Sequence, residues 1–425
     1  MNMDIVLGLQ WGDEGKGKFI DLISEDYDIV ARFNGGANAG HSIERKGKRI
    51  TLKSLPSGIF IEGIQNVIGT GMVVDPVNFK QEVLNLKSFD ESIQVEEYVV
   101  ISQKAHLVLP VYKLMDIFME ENPFYTTVGT TKNGIGPTYA NKALRQNVRV
   151  GDMYASDFKA RVHHILEREY NLLISYGQTL PPFETMEEEF FDAVDFLKRF
   201  KFIDSEMFLN NSLSGGKKIL AEGAQAAMLD IDHGTYPHVT SSTTLSAGAC
   251  SGLGISPKKV GEIYGVTKAY CTRVGNGIFP TEIFDELGGE IRSRGNEFGS
   301  NTGRPRRIGW LDLPALKYAV MINGVTQLVL TKADILSGLR SVAVCTHYES
   351  DGKKTEMISG LFSNDQVRSV LKWMKGWSTD ISDLKESSHL PAELIDFLTF
   401  LEKELAIPVS YLSTGPGREQ IIKMH

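Results

Sequence analysis

The stretch Gln10-Trp11-Gly12-Asp13-Glu14-Gly15-Lys16-Gly17-Lys18 constrains the fold of this chain more than any other. The apolar run Asp4-Ile5-Val6-Leu7-Gly8-Leu9 precedes it and reads as a buried parallel strand. Phe19-Ile20-Asp21-Leu22-Ile23 follows with the apolar spacing of the first turns of a helix. Strand, glycine loop, helix is the order in which backbone N–H groups and a helix N-terminus cradle phosphate. Lys16 and Lys18 add full positive charge. The spacing from Gly12 to Lys18 satisfies G-x-x-x-x-G-K, yet Phe19 stands where a Ser or Thr normally holds Mg²⁺. Asp13 is the anomaly. A carboxylate beside bound phosphate is repelled unless a metal or a reacting group compensates it.

A phosphate loop needs a sheet behind it, and the length allows one. The chain has 425 residues, 42% of them hydrophobic, and a formal net charge of −8. That balance gives no basis for nucleic-acid or membrane binding. No apolar run reaches the roughly 18 residues that span a bilayer. No apolar leader precedes the first strand, so no signal peptide is expected. Cys250, Cys271 and Cys345 are widely separated, which suits a reducing cytoplasm.

Further along, Tyr27-Asp28-Ile29-Val30-Ala31-Arg32-Phe33 reads as a second strand running into Asn34-Gly35-Gly36-Ala37-Asn38-Ala39-Gly40-His41-Ser42. Glycines at a strand's C-terminal end allow close approach to a ligand, and His41 ends that loop as a candidate acid or electrophile. Strands are also expected at Arg49-Ile50-Thr51-Leu52, Asn66-Val67-Ile68 and Tyr98-Val99-Val100-Ile101-Ser102, with a helix over 76–86. The polar loop 128–139 reads equally as a surface loop or a ligand loop. Residues 156–202 look helical, with the acidic run 184–189 on a solvated face.

Ile219-Leu220-Ala221-Glu222 returns to strand and opens into Gly223-Ala224-Gln225. Asp230, Asp232, His233 and His238 crowd together, but no spacing puts three metal ligands on one face. Val260 to Ala269 reads as a strand region. Arg304, Arg306 and Arg307 follow a hydroxyl-bearing loop and suit bidentate capture of a carboxylate or phosphate. Gln327-Leu328-Val329-Leu330 reads as a strand with Thr331-Lys332-Ala333-Asp334 at its edge. Lys-x-Asp there favours guanine, because its ring N–H and amine pair with the carboxylate and adenine offers no such donors. A helix over 391–405 leads to Ile407-Pro408-Val409-Ser410-Tyr411-Leu412, expected as the final strand. Each ligand loop is thereby expected at a strand's C-terminal end.

Taken in order, Gln10 to Lys18, Asn38-Ala39-Gly40-His41, Gly129-Thr130-Thr131, Gly134-Ile135-Gly136-Pro137 and Glu222-Gly223-Ala224-Gln225 carry a resemblance. Asp232-His233-Gly234-Thr235-Tyr236-Pro237, Thr302-Gly303-Arg304-Pro305-Arg306-Arg307, Gly309-Trp310, Thr331-Lys332-Ala333-Asp334 and Ser413-Thr414-Gly415-Pro416 extend it. Over essentially its whole length the chain resembles the adenylosuccinate synthetases. The expected architecture is α/β, a large, mostly parallel central sheet with a P-loop-like nucleotide site. It is expected to form one domain over residues 1–425, with a helical insertion roughly over 152–205.

The resemblance implies a GTP-dependent ligase that joins IMP to L-aspartate through a 6-phosphoryl intermediate, with one Mg²⁺ per subunit. It implies catalytic roles for Asp13 as base, His41 as acid and Gln225 at the purine carbonyl. GTP contacts are implied for Gly12, Asp13, Glu14, Gly15, Lys16, Gly17, Lys18, Gly40, His41, Ser42 and Arg306. Its guanine pocket would be Lys332, Ala333, Asp334, Ser413, Thr414 and Gly415. IMP is expected at Asp13, Glu14, Gly15, Lys16, Asn38, Ala39, Gly40, His41, Thr131, Gln225, Thr240 and Arg304, with Arg145 donated by the neighbouring subunit of a homodimer. Aspartate is expected at Ser300, Asn301, Thr302, Gly303, Arg304, Pro305 and Arg306, and the metal at Asp13 and the carbonyl of Gly40. Lys132-Asn133 replaces the Gly-Arg of many bacterial members, leaving Lys132 as the candidate substitute for that arginine. A GTP-binding switch and a P-loop kinase are the rival readings, and neither explains an acid inside the phosphate loop.

Overall fold

The computed structural model describes residues 2–45, 47–299, 303–356 and 367–424. Its centre is a ten-stranded sheet. In chain order the strands are β1 (Met3–Gly8), β2 (Ile29–Arg32), β3 (Gln65–Ile68), β4 (Val99–Ser102) and β5 (Lys201–Ile203). They continue as β6 (Ile219–Glu222), β7 (Val260–Lys268), β8 (Gln327–Thr331), β9 (Val409–Ser413) and β10 (Ile421–Lys423). Across the sheet the order is β10-β9-β8-β7-β1-β6-β2-β3-β4-β5. Every neighbouring pair is parallel except β9 with β10.

Parallel strands covered on both faces read as continuous apolar runs, and β1 is one. Ile5 and Leu7 face the largest core cluster, while Val6 joins Phe19 and Ile20 of helix α1 (Lys16–Ile23) on the other face. The same alternation recurs in Ile29, Val30 and Ala31, and in Leu328, Val329 and Leu330. From β1 the chain moves through α1 to β2, two strands away, and β6 later fills the gap. The loop after β1 therefore opens into the crevice where neighbouring connections diverge, the place where open α/β sheets bind ligands.

Three expectations change. The chain does not end with the strand after helix Ala392–Leu405. It turns back from β9 through residues 414–420 into antiparallel β10, so that loop closes on the sheet's edge. Residues 156–202 are helical at Phe158–Ser175 and Phe183–Leu197 but finish as strand β5, which extends the sheet beside β4. Phe79 of helix Pro76–Phe89 meets Phe200 edge-on at 4.9 Å, holding that region against the sheet. Finally, two ligand loops do not follow strands. Residues 128–134 lie between helices Pro110–Glu121 and Ile135–Leu144, and residues 303–306 lie beyond helix Glu286–Gly295.

Asp312 shows how a buried acid is accommodated. It caps helix Leu313–Asn323 by accepting from the Ala315 N–H at 3.2 Å and accepts from the Tyr348 hydroxyl at 2.5 Å. Burial, against those two hydrogen bonds, raises its pKa to about 6. A raised carboxyl favours the fold below its unfolded pKa, and that contribution is lost as pH rises through the folded value. Asp312→Asn keeps a capping oxygen without the titration. We expect the variant to gain on the parent by on the order of 2 kcal/mol between about pH 4.5 and pH 7. Urea unfolding at the two pH values measures this, and a difference independent of pH would refute it.

Candidate active site

A cavity of about 670 Å³ opens at the C-terminal ends of the central strands. Residues 12–18, 38–42 and 129–131 line it, with Gln225, Thr240, Arg304, Arg306, Lys332, Asp334, Ser413 and Gly415. One pocket thus collects segments from almost the whole chain. Ala333 and Thr414 are fully buried beside it and are not lining residues. Gly303 and Pro305 are exposed and outside the lining, as is Arg145 at the C-terminal end of helix Ile135–Leu144. Ser300, Asn301 and Thr302 lie outside the described residues.

The loop after β1 is built on left-handed backbone. Gly12, Asp13 and Gly15 have φ of 89°, 63° and 86°, and Gly15 caps α1. Aspartate tolerates this region better than most side chains, so the sequence can hold a carboxylate there. Asp13 is met by Arg306, whose Nε lies 2.8 Å from Oδ2. Arg306 also reaches Glu297 at 2.5 Å. Glu297 accepts from Tyr270 at 2.6 Å and from Lys268 at 3.2 Å. Burial opposes its ionisation, but Lys268, Lys332 and Arg306 outweigh it and bring its pKa down to about 2.

The lysines of the loop do not stand free as the sequence suggests. Lys16 pairs with buried Glu14 at 2.7 Å. Glu14 also accepts from the backbone N–H of Gly12 at 2.9 Å and of Gln10 at 3.2 Å. An internal carboxylate therefore satisfies amides that the loop pattern reserves for phosphate. Lys18 turns the other way, donating to Ser413 Oγ at 2.9 Å, Gly415 O at 2.6 Å and Gln420 O at 2.9 Å. Burial, opposed by Asp334, lowers its pKa to about 7. Lys18 joins α1 to the loop between β9 and β10. Asp21 reinforces that joint, accepting from Arg45 at 2.6 Å and Arg418 at 3.1 Å while wholly buried.

Around the rest of the cavity, two groups wait for partners. The Gln225 side-chain amide is buried at both N and O without a hydrogen bond among the described residues, and its backbone is left-handed at φ 57°. His41 Nε2 is buried and likewise unpartnered, while Nδ1 lies 2.5 Å from Glu222 Oε1. Burying polar atoms without partners costs about 1–3 kcal/mol each, so both point to a ligand that completes them. Asn38 donates to Thr240 Oγ1 at 3.3 Å, and Asn133 donates to Thr131 Oγ1 at 3.0 Å. Lys132, the candidate substitute for the arginine of many bacterial members, pairs with Glu121 at 2.6 Å and is not among the lining residues.

At the far end, Lys332 donates to Gly295 O at 2.8 Å and its backbone is left-handed at φ 62°. Burial raises the pKa of Asp334, against the pull of Lys332 and Lys18. Trp377 donates to the Ala333 carbonyl at 3.2 Å and floors the turn from below. The acid and histidine side chains near residue 230 form no metal-holding group among the described residues. Asp230 instead accepts backbone N–H groups of Asp232, His233 and Thr244, and no metal-sized cluster occurs among the described residues.

Sequence reasoning missed Glu222, Glu297, Lys268 and Asp21 as parts of this site. Glu222 had one signal, an acid closing an apolar strand immediately before a glycine loop. The others had none: Asp21 lies three residues past Lys18 and Glu297 five before Thr302, but nothing local shows which side chains they meet.

The sequence pattern of the adenylosuccinate synthetases matches residues 5–422. An adenylosuccinate synthetase of Flavobacterium johnsoniae is 47% identical over 423 residues, covering 99% of this chain and 100% of the relative. That of Christiangramia forsetii is equally similar, at 47% over 423 residues with the same coverage. The fully ligated adenylosuccinate synthetase of Plasmodium falciparum superposes with a TM-score of 0.91 at 37% identity, covering 100% of both chains. A cyanophage S-2L succinoaminodeoxyadenylate synthetase, bound to dGMP and dATP, shares the fold at a TM-score of 0.64 and 19% identity, covering 99% of this chain and 95% of its own. On sequence pattern, identity and fold together, the chain belongs to the adenylosuccinate synthetase family.

Proposed function

We infer that the protein joins IMP to L-aspartate at the expense of GTP, forming adenylosuccinate, GDP and phosphate, the first committed step from IMP to AMP. The observation that carries this is the meeting of Asp13, His41 Nε2 and the unpartnered Gln225 amide on one cavity. A base, an acid and a purine-reading amide are what phosphorylation of a purine oxygen requires.

In this reading Asp13 takes the proton from the hypoxanthine ring, and the 6-oxygen attacks the γ-phosphoryl group of GTP. His41 stabilises charge on that group from the opposite side, and Gln225 satisfies the purine carbonyl region. The amine of aspartate then displaces phosphate from the 6-phosphoryl intermediate. Residues 12–18 and 40–42 with Arg306 hold the GTP phosphates. Residues 332–334 and 413–415 form the guanine pocket, with Ala333 and Thr414 behind its lining. Residues 13–16 and 38–41 with Thr131, Thr240 and Arg304 hold IMP. Residues 300–306 bind aspartate, whose carboxylates suit Arg304 and Arg306.

The donor set suits Mg²⁺, a hard cation that takes oxygen ligands and shares them with phosphates. Asp13 and Gly40 both line the cavity, and among the described residues the Asp13 carboxylate is paired with Arg306. Asp13 and Gly40 would hold the ion, which supplies charge neutralisation on the phosphates. The exposure of Arg145 supports its donation to the active site of a second subunit in a homodimer. A single domain with its helical insertion, working in the cytoplasm, completes the reading. No described helix is long and apolar enough to cross a membrane.

Asp13→Asn is expected to lower turnover about 10³-fold or more while GTP binding stays within a few-fold, the scale of a lost base. Following the absorbance change of IMP with GTP and aspartate measures it, and near-parent turnover would remove Asp13 from that role. Asp334→Asn is expected to weaken GTP by about 1–3 kcal/mol and to leave IMP and aspartate unaffected, since one guanine donor loses its anionic acceptor. KM values for GTP against ATP and ITP decide this; an unchanged preference for guanine would place recognition elsewhere.

A further inference from the structure

Glu222 has no part in the mechanism above, yet it is fully buried and touches His41 directly. We propose that Glu222 is the positioning residue that locks the His41 ring, with Nδ1 turned inward to its carboxylate and Nε2 turned to the reacting phosphoryl group. This rests on His41 acting as the acid.

The geometry fixes the carboxylate first. Ser57 donates its backbone N–H to Oε2 at 2.7 Å and its hydroxyl to Oε1 at 2.8 Å. Glu222 ends β6 in register with Arg32, which ends β2 and is also wholly buried. Both oxygens already accept hydrogen bonds and Arg32 adds positive charge nearby, so the group is held as an anion and Nδ1 of His41 donates to it. Only Nε2 is then left for the cavity, and it is buried without a partner. The opposite side of His41 is fixed too. A Cβ at Gly17 would lie 2.8 Å from His41 Cβ, so the first turn of α1 packs directly on the residue. With its backbone and Cβ against Gly17 and its Nδ1 on Glu222, His41 is held in this orientation, and a displaced ring forfeits the alignment on which acid catalysis depends.

A merely structural role, balancing the charge of Arg32, predicts a different outcome. Glu222→Asp keeps an anion beside Arg32 but withdraws it by one methylene from Nδ1. Its kcat is expected to fall about 10²-fold with KM for IMP and GTP changed less than about threefold. The loss should vanish when the change is made in a His41→Asn enzyme, because a residue acting through His41 has nothing left to position. Ser57→Ala, which removes only the hydroxyl bracing Oε1, should give a smaller fall that is also absent in that background. It keeps the question open to test if Glu222→Asp does not fold. Losses that multiply with that of His41→Asn, or parent-level kcat in Glu222→Asp or Ser57→Ala, would overturn the proposal. Parent-level kcat in His41→Asn alone would instead overturn the reading of His41, and the proposal with it.

Discussion

Arg32 and Glu222 are cross-strand partners at the C-terminal edge of the sheet, and neither has access to solvent. Each places opposite charge near the other, and burying charge without compensation costs several kcal/mol, so groups around them must offset both. Glu82, also buried, adds negative charge near Arg32 and gathers the backbone N–H groups of Lys53, Ser54 and Leu55. Ser57 and His41 complete Glu222. The loop that carries His41 is thereby drawn over the strand ends. The position of that histidine follows from the need to satisfy charge beneath it.

Two other buried acids work the same way at other points on the cavity. Glu297 gathers Lys268, Tyr270 and Arg306 and so brings Arg306 to Asp13. Asp21 gathers Arg45 and Arg418, tying the strand after His41 and the loop between β9 and β10 to α1. Each acid anchors a loop that arrives from a different part of the sequence. Core packing fixes the strands, and charge satisfaction fixes the loops relative to them.

The phosphate loop carries this logic into the cavity itself. Glu14 holds Lys16 and two backbone amides, and Asp13 holds Arg306. Nucleotide phosphates bound as proposed would meet cations that already have partners, and binding would exchange one set of ion pairs for another. Such exchange releases less energy than pairing a free cation, but it discriminates against ligands that cannot replace every partner displaced.

The local readings held because their physics is local. The apolar run of β1, the glycines at positive φ and the Lys-x-Asp turn each depend on neighbours within a few residues. The order of motifs likewise pointed to the family before any coordinates. What sequence could not supply was which side chains meet across the sheet. The strand pairing sets Glu222 beside Arg32, 190 positions away, and no periodicity encodes that register. The direction taken by Lys18 and Lys132, the return strand β10 and the two loops that reach the cavity from helices were decided by tertiary contacts alone. A lysine's flexible stem fits many partners, and only the folded surroundings choose one.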